Sequence, residues 1–179
     1  MSADVATLEY LNGILATGGL IALAFAALCI FDMHKNNACA SFIRAWGLTV
    51  AFAISAVATC FTLIYSEFFG IVPCGLCWLE RMALYPQLVL IPVALYYKDE
   101  RMPRSGIALS VIGLLISLYH HYVQMGGTEF ISCPTSGADC AKRFMFEYGF
   151  VTFPFLSAIL FACLIALYLY ILKTNRTEG

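Results

Sequence analysis

Four long stretches without a charged side chain set the strongest limit on how this chain can fold. They cover residues 10–31, 45–66, 105–128 and 148–172, and each is 22 to 25 residues long. About 20 apolar residues in an α-helix cross the roughly 30 Å hydrocarbon core of a bilayer. A fifth stretch, residues 82–97, has only 16 residues and reaches spanning length if its helix begins near Trp78. The sequence therefore predicts five membrane-crossing helices.

The composition supports the same fold class. Hydrophobic residues make up 61% of the chain and charged residues 12%, whereas soluble domains usually carry about 25% charged residues. The apolar residues show no two-residue alternation, which argues against a β-barrel. We expect an all-α, polytopic membrane helical bundle with the lipid bilayer as a partner. The net charge of −1 offers no basic surface, so nucleic acid is not an expected partner.

The basic residues predict how the bundle is oriented. With five crossings, all but two of the Lys and Arg residues in the connecting segments and the C-terminal tail fall on one side: Lys35, Arg44, Lys98, Arg101, Arg104, Lys173 and Arg176. Lys142 and Arg143 lie on the other side. Because Lys and Arg accumulate on the cytoplasmic side, the C-terminus is predicted inside and the N-terminus outside.

A cleaved signal peptide is the alternative interpretation of the first apolar stretch, since Ala38-Cys39-Ala40 resembles a cleavage site. No positive segment precedes that stretch, and it exceeds the usual length of 7–15 apolar residues. Cleavage would also reverse the orientation of the remaining helices, so that their basic loops would face the outer side. We therefore favour a membrane-spanning first helix.

The predicted topology sorts the eight cysteines by depth. Those inside apolar spans or in a cytoplasmic loop are expected to be buried or reduced thiols without a role: Cys29, Cys60, Cys163 and Cys39. Disulfides form and persist in oxidising compartments outside the cytoplasm. The four cysteines predicted on the outer side are therefore the candidate redox residues: Cys74, Cys77, Cys133 and Cys140.

The first outer pair lies in the stretch PCGLCWLER, residues 73–81. Pro73 does not continue a preceding helix, so Cys74 and Cys77 are predicted one turn apart at a helix N-terminus, where the dipole stabilises thiolate. Arg81 follows Cys77 by four residues and shares its helix face. Its permanent charge is suited to holding negative charge on sulfur or on a bound acceptor. Alternatively, Arg81 extends to the membrane surface and pairs with Glu80 or a lipid headgroup.

The second outer pair, Cys133 and Cys140, is separated by six residues in a loop that contains Gly126-Gly127, Pro134 and Gly137. A zinc site built from both pairs is one alternative, although six intervening residues exceed the usual ligand spacing. Two structural disulfides are the other. That explanation fits Cys133 and Cys140 better than Cys74 and Cys77, since a helix already fixes the geometry of a Cys-x2-Cys turn.

Two histidines, His120 and His121, lie at the outer end of the third long apolar stretch, at a depth close to that of Cys77. Either could hydrogen-bond or protonate a bound carbonyl compound. They also fit an interfacial aromatic belt together with Tyr119 and Tyr122. Of the two, His120 is the preferred candidate.

Three motifs in this order resemble the DsbB/BdbC family of disulfide bond formation proteins. They are PCGLCWLERMALYP at residues 73–86, SLYHHYVQ at 117–124 and EYGFVTFPFLS at 147–157, with the second cysteine pair between the last two. The resemblance covers roughly residues 46–172. It implies a four-helix core at residues 45–179 with an extracytoplasmic cysteine loop at 125–147. Residues 1–44 would form an extra transmembrane helix and a cytoplasmic loop.

The resemblance also implies a function. A DsbA-like thioredoxin-fold thiol oxidase would reduce the Cys133–Cys140 disulfide, most readily at Cys133, in a bacterial cytoplasmic (inner) membrane. Electrons would pass to Cys74 and Cys77, and from Cys77 to a quinone, ubiquinone or menaquinone, held near Arg81 and His120. The competing hypothesis is a non-catalytic membrane protein with structural disulfides.

Overall fold

Five long helices make up the chain in the computed structural model, which describes residues 2–32, 37–99, 101–130, 133 and 138–176. They are α1 (Ser2–Asp32), α2 (Asn37–Leu63), α3 (Gly75–Tyr97), α4 (Met102–Gln124) and α5 (Phe153–Arg176). A short π-helical segment, Ile64–Phe68, continues α2. No strand longer than an isolated bridge occurs in these residues. The predicted all-α membrane bundle is confirmed.

Four of the helices are both long enough and apolar enough to cross a membrane, over Ala6–Ala24, Ala45–Phe68, Met102–Gln124 and Phe153–Thr174. Helix α3 has 23 residues, which at 1.5 Å per residue is sufficient length. Its sequence is less uniformly apolar because it carries Glu80, Arg81 and Gln87. Its crossing therefore stays a prediction.

Helices α2 to α5 form a closed ring, in which α3 packs between α2 and α4, and α5 packs between α4 and α2. Helix α1 lies outside the ring and packs mainly against α5. The C-terminal ends of α2 and α4 meet the N-terminal ends of α3 and α5. All four redox candidates lie at this end of the bundle, which we call the cysteine end.

The centre of the ring combines tight apolar packing with one buried polar network. Phe161 of α5 packs so closely on Gly113 of α4 that a Cβ on this glycine would lie 2.4 Å from the ring. Tyr168 donates a 2.8 Å hydrogen bond to Gln87, and Gln87 donates to Ser110 at 3.3 Å. Buried polar groups cost free energy unless they are hydrogen-bonded, so this network fixes the register of α3, α4 and α5.

Two helix boundaries differ from the predicted ones. Helix α3 begins at Gly75, before the predicted start near Trp78. Helix α5 begins at Phe153, five residues after the start of the uncharged stretch. Tyr148 and Gly149 both have positive φ, 54° and 78°, a conformation that a right-handed helix excludes.

Candidate functional site

The first cysteine pair caps the N-terminus of α3, as its spacing predicts. Cys74 has the extended conformation of an N-cap, and its sulfur accepts a 3.2 Å hydrogen bond from the backbone N–H of Cys77. The two Sγ atoms lie 2.7 Å apart. Because bonded sulfurs are about 2.05 Å apart, only a small side-chain movement, together with the loss of two electrons and two protons, would join them in a disulfide.

Cys74 also contacts a histidine and, through it, a glutamate. His120 Nε2 lies 3.6 Å from the sulfur, and His120 Nδ1 lies 2.8 Å from a carboxylate oxygen of Glu80. A carboxylate only accepts hydrogen bonds, so Nδ1 is the donor and Nε2 faces the sulfur as proton acceptor or donor. Gln124 Nε2 lies 3.4 Å from the same imidazole nitrogen. Cysteine, histidine and carboxylate form a chain in which each group orients the next.

This environment favours the thiolate form of Cys74, which lies just before the start of α3. The hydrogen bond with the Cys77 side chain lowers the pKa of Cys74 most. Burial opposes this effect, whereas the hydrogen bond to His120 and its charge lower the pKa further. Thiolate is the species that attacks disulfides, so Cys74 is suited to exchange chemistry.

The second pair, Cys133 and Cys140, forms a disulfide with Cα atoms 6.1 Å apart. Cys140 is 1% exposed and packs in one buried cluster with Cys74, Leu76 and Val123. Cys133 lies at the edge of this cluster and is half-buried. The loop therefore brings its cysteines against the first pair, and all four predicted redox residues meet at the cysteine end.

Arg81 contacts neither cysteine through a hydrogen bond. Its guanidinium donates a 3.0 Å hydrogen bond to the backbone oxygen of Thr62 in α2 and lies 5.2 Å from the centre of the Trp78 ring. Glu80, which the sequence allowed as its ion-pair partner, is bound to His120 instead. Arg81 is therefore held at the α2–α3 contact, where its remaining N–H groups are available to a ligand.

A cavity of about 990 Å³ begins at these residues and runs between α1, α2 and α5. Cys74, Cys77, Arg81, His120 and Gln124 line its cysteine end. Glu80, Asp139 and Lys142 also lie at this end, and the remaining lining is mainly apolar, with residues such as Leu15, Gly47 and Leu167. A lipid-soluble molecule with a polar head fits this distribution.

A zinc site would have to be built from the cysteines and the histidine at the cysteine end. Cys74, Cys77 and His120 have ligand atoms within 4.8 Å of one another. The four-cysteine zinc site is not formed, because Cys133 and Cys140 are bonded to each other. Structural zinc sites need four ligands. Among the described residues, no fourth candidate ligand joins Cys74, Cys77 and His120.

Of the two candidate histidines, only His120 reaches the cysteines. His121 points toward α5 and lies 2.9 Å from the hydroxyl of Thr152. Sequence reasoning missed two residues of the site, Glu80 as the partner of His120 and Gln124 as its neighbour. Glu80 follows Cys77 by three residues and so shares its helix face, a signal that the sequence contained.

Comparisons with known proteins agree with this geometry. Residues 43–171 match the family model described as "Disulfide bond formation protein DsbB". "Probable disulfide formation protein C 2" of Bacillus anthracis is 32% identical over 137 residues, which cover 76% of this chain and 97% of that protein. "Disulfide bond formation protein C" of Bacillus subtilis is 30% identical over 132 residues, covering 73% and 95%. No solved structure matches the chain significantly.

Proposed function

Because the chain belongs to the DsbB family and is therefore a membrane redox protein of disulfide bond formation, we propose that it is a thiol:quinone oxidoreductase. It takes electrons from a DsbA-like thioredoxin-fold thiol oxidase and transfers them to a quinone. The observation that carries this proposal is the meeting of Cys140 and Cys74 in one buried cluster at the mouth of an apolar cavity.

The loop pair accepts the electrons. A thiolate of the reduced partner attacks Cys133, which is the less buried of the two loop sulfurs, and the bond to Cys140 breaks. A second partner thiolate then closes the partner's disulfide. Two electrons and two protons remain on Cys133 and Cys140.

The α3 pair receives the electrons next. Cys140 lies in the same buried cluster as Cys74, so its thiolate attacks Cys74 in a Cys74–Cys77 disulfide and releases Cys77 as thiolate. Cys133 then attacks Cys140, which forms the loop disulfide again and releases Cys74. Cys74 and Cys77 are then both reduced. Cys77 lines the cavity and is less buried than Cys74, which supports its role as the sulfur on the acceptor side.

The cavity is suited to a quinone. A bound quinone, ubiquinone or menaquinone, would accept two electrons and two protons as the Cys74–Cys77 bond forms again. Gln124 contributes a buried side-chain oxygen with no hydrogen-bond partner among the described residues, and such an oxygen is suited to accept from the hydroxyl of the reduced product. Arg81 supplies a fixed positive charge for the negative charge that develops during reduction.

His120 moves the proton at the sulfur. Its Nε2 takes the Cys74 proton when the thiolate forms, while Glu80 holds Nδ1 and stabilises the imidazolium. We place this end of the bundle on the extracytoplasmic side of a bacterial cytoplasmic membrane, because the basic loops lie at the opposite end.

The test uses the purified protein with a reduced thioredoxin-fold oxidase and decylubiquinone. We expect quinone absorbance to fall in proportion to the partner disulfide formed, and Cys77→Ser to abolish both. Cys60→Ser is the matched control, since Cys60 is exposed on α2 and belongs to neither pair. Continued turnover in Cys77→Ser would refute the mechanism.

The same samples test the alternatives. If the protein only carries structural disulfides, the wild type will reduce no quinone and Cys77→Ser will match it in every assay. If Cys74, Cys77 and His120 hold zinc, metal analysis of the active protein will find one equivalent.

A further inference from the structure

Helix α1 has no counterpart in the family match. The matched residues begin at 43, and the Bacillus anthracis relative is covered over 97% of its length by only 76% of this chain. The four-helix core therefore forms the shared redox machinery. What α1 adds must be sought in its own contacts.

The first half of α1 is docked on the cysteine end by specific contacts. Tyr65, which follows α2, donates a 2.8 Å hydrogen bond to Asn12, and both side chains are buried. The hydroxyls of Thr17 and Tyr148 lie 2.9 Å apart. Ala16 is fully buried in a cluster with Met145 and Val151. These contacts place the start of α1 at the same end of the bundle as the redox cysteines.

Helix α1 touches α5 closely but leaves a space beside α2. A Cβ on Gly19 would lie 2.4 Å from Leu156 of α5, so the two helices are in contact there. A Cβ on Gly18 would have no atom within 4 Å, because Gly18 faces the open space of the cavity. Leu15, Gly18 and Ala22 all line it, and their spacing of three, four and seven residues places them on one helix face.

We propose that this face of α1 is the third wall of the acceptor cavity and that it selects the acceptor by its tail. The inference rests on the proposed quinone reduction and deepens it. The polar groups at the cysteine end come from α3, α4, the end of α2 and the loop that carries Cys140, whereas α1 contributes only apolar and small residues. An acceptor ring is therefore held by the core, and its isoprenoid tail lies between α1, α2 and α5.

The small side chains of α1 set the width of this space. Glycine at 18 and alanine at 22 leave room that leucine or phenylalanine would occupy. In a four-helix relative without α1, this side of the cavity would face lipid. Discrimination by tail is thus a property of this chain that the shared core does not provide.

Two glycines of α1 provide a matched test. Gly18→Leu projects a side chain into the cavity, whereas Gly13→Leu enters open space that does not belong to the cavity. Equilibrium binding of decylubiquinone and of tail-less ubiquinone to each full-length variant is followed by tryptophan fluorescence. Photo-crosslinking with a quinone that carries a photoreactive group on its tail, followed by peptide mapping, gives a second measurement that does not depend on turnover.

We expect Gly18→Leu to weaken decylubiquinone binding by about tenfold or more and to leave tail-less ubiquinone nearly unchanged. Gly13→Leu should bind both as the wild type does. The crosslink should map to the peptide that contains residues 15–22. Melting temperatures show that each variant is folded, and Ala22→Phe replaces Gly18→Leu if the latter fails to fold.

The inference would be overturned if Gly18→Leu and Gly13→Leu bound decylubiquinone equally well, or if the crosslink were confined to α2 and α5. Neither result would contradict the proposed quinone reduction. If the space holds a phospholipid chain instead, Gly18→Leu will change the binding of neither quinone. A wild type that reduces no quinone overturns the proposed function and, with it, this inference.

Discussion

Among single residues, Cys74 shows how the surroundings of a buried thiol can lower its pKa. Burial alone raises a thiol pKa, yet hydrogen bonds from Cys77 and His120 outweigh it. Glu80 in turn accepts a hydrogen bond from His120 Nδ1 and so orients the imidazole toward the sulfur. Cys77 and Glu80 lie on α3 and His120 on α4, so this environment depends on how the two helices pack.

Replacing His120 should raise the pKa of Cys74, because the imidazole lowers it by hydrogen bonding and by charge. Because the pKa of Cys74 is lowered, its thiolate in the reduced wild-type protein should be populated at a pH below the usual range for cysteine. In His120→Ala its titration should shift upward, and quinone reduction near neutral pH should fall by about tenfold or more. The measurement is thiolate ultraviolet absorbance against pH.

His121→Ala is the control for this experiment, because His121 is adjacent in the chain but faces Thr152. It should leave the titration of Cys74 unchanged. An identical midpoint in His120→Ala and the wild type would show that the histidine does not act on the sulfur.

The sequence was informative about residues whose role follows from spacing. Cys-x2-Cys places both sulfurs at a helix start, and the depth of His120 predicted its proximity. The bond between Glu80 and His120 spans 40 positions and depends on how α3 packs on α4. Spacing within one helix could place Glu80 beside Cys77 but could not identify its partner.

At the scale of helices, uncharged length predicts where a span lies, and close packing determines how spans meet. The predicted stretches overlap all five helices. The predicted and observed helix ends differ where the backbone conformation excludes a helix, as at Tyr148 and Gly149. The π-helical segment at Ile64–Phe68 has no signal in hydropathy because it changes hydrogen bonding and not apolar content.

The contact between α4 and α5 gives a stability prediction. In Gly113→Ala the new methyl group would overlap the ring of Phe161, which is 1% exposed and has little room to move. Overpacking of this kind costs about 1–3 kcal/mol, so the melting temperature in detergent should fall by several degrees.

Gly18→Ala serves as the comparison, since its Cβ would meet no atom within 4 Å. Alanine also favours helix over glycine by up to about 1 kcal/mol, so this variant should melt at or above the wild-type temperature. If Gly113→Ala is as stable as Gly18→Ala, α4 and α5 do not pack as closely as described.

At the scale of the whole molecule, the position of α1 links topology to function. Its first half is bonded to Tyr65 and Tyr148 at the cysteine end. A single crossing by α1 therefore places the N-terminus on the same side of the membrane as the redox pairs. With a crossing by α3 as well, we predict five crossings in total and therefore a C-terminus, with Lys173, on the opposite side.

Protease protection in spheroplasts tests this arrangement. An N-terminal epitope tag should be removed by external protease, while a C-terminal tag on the same protein should be protected until the membrane is permeabilised. Alkaline phosphatase fused after Gly127 should be active and after Asp99 inactive, because these positions flank α4.

A protected N-terminal tag would mean that α1 does not cross the membrane. The basic loops and the cysteine end would keep their predicted sides, but α1 would no longer be able to line an acceptor cavity from within the bilayer, so this experiment also bears on the proposed tail selection.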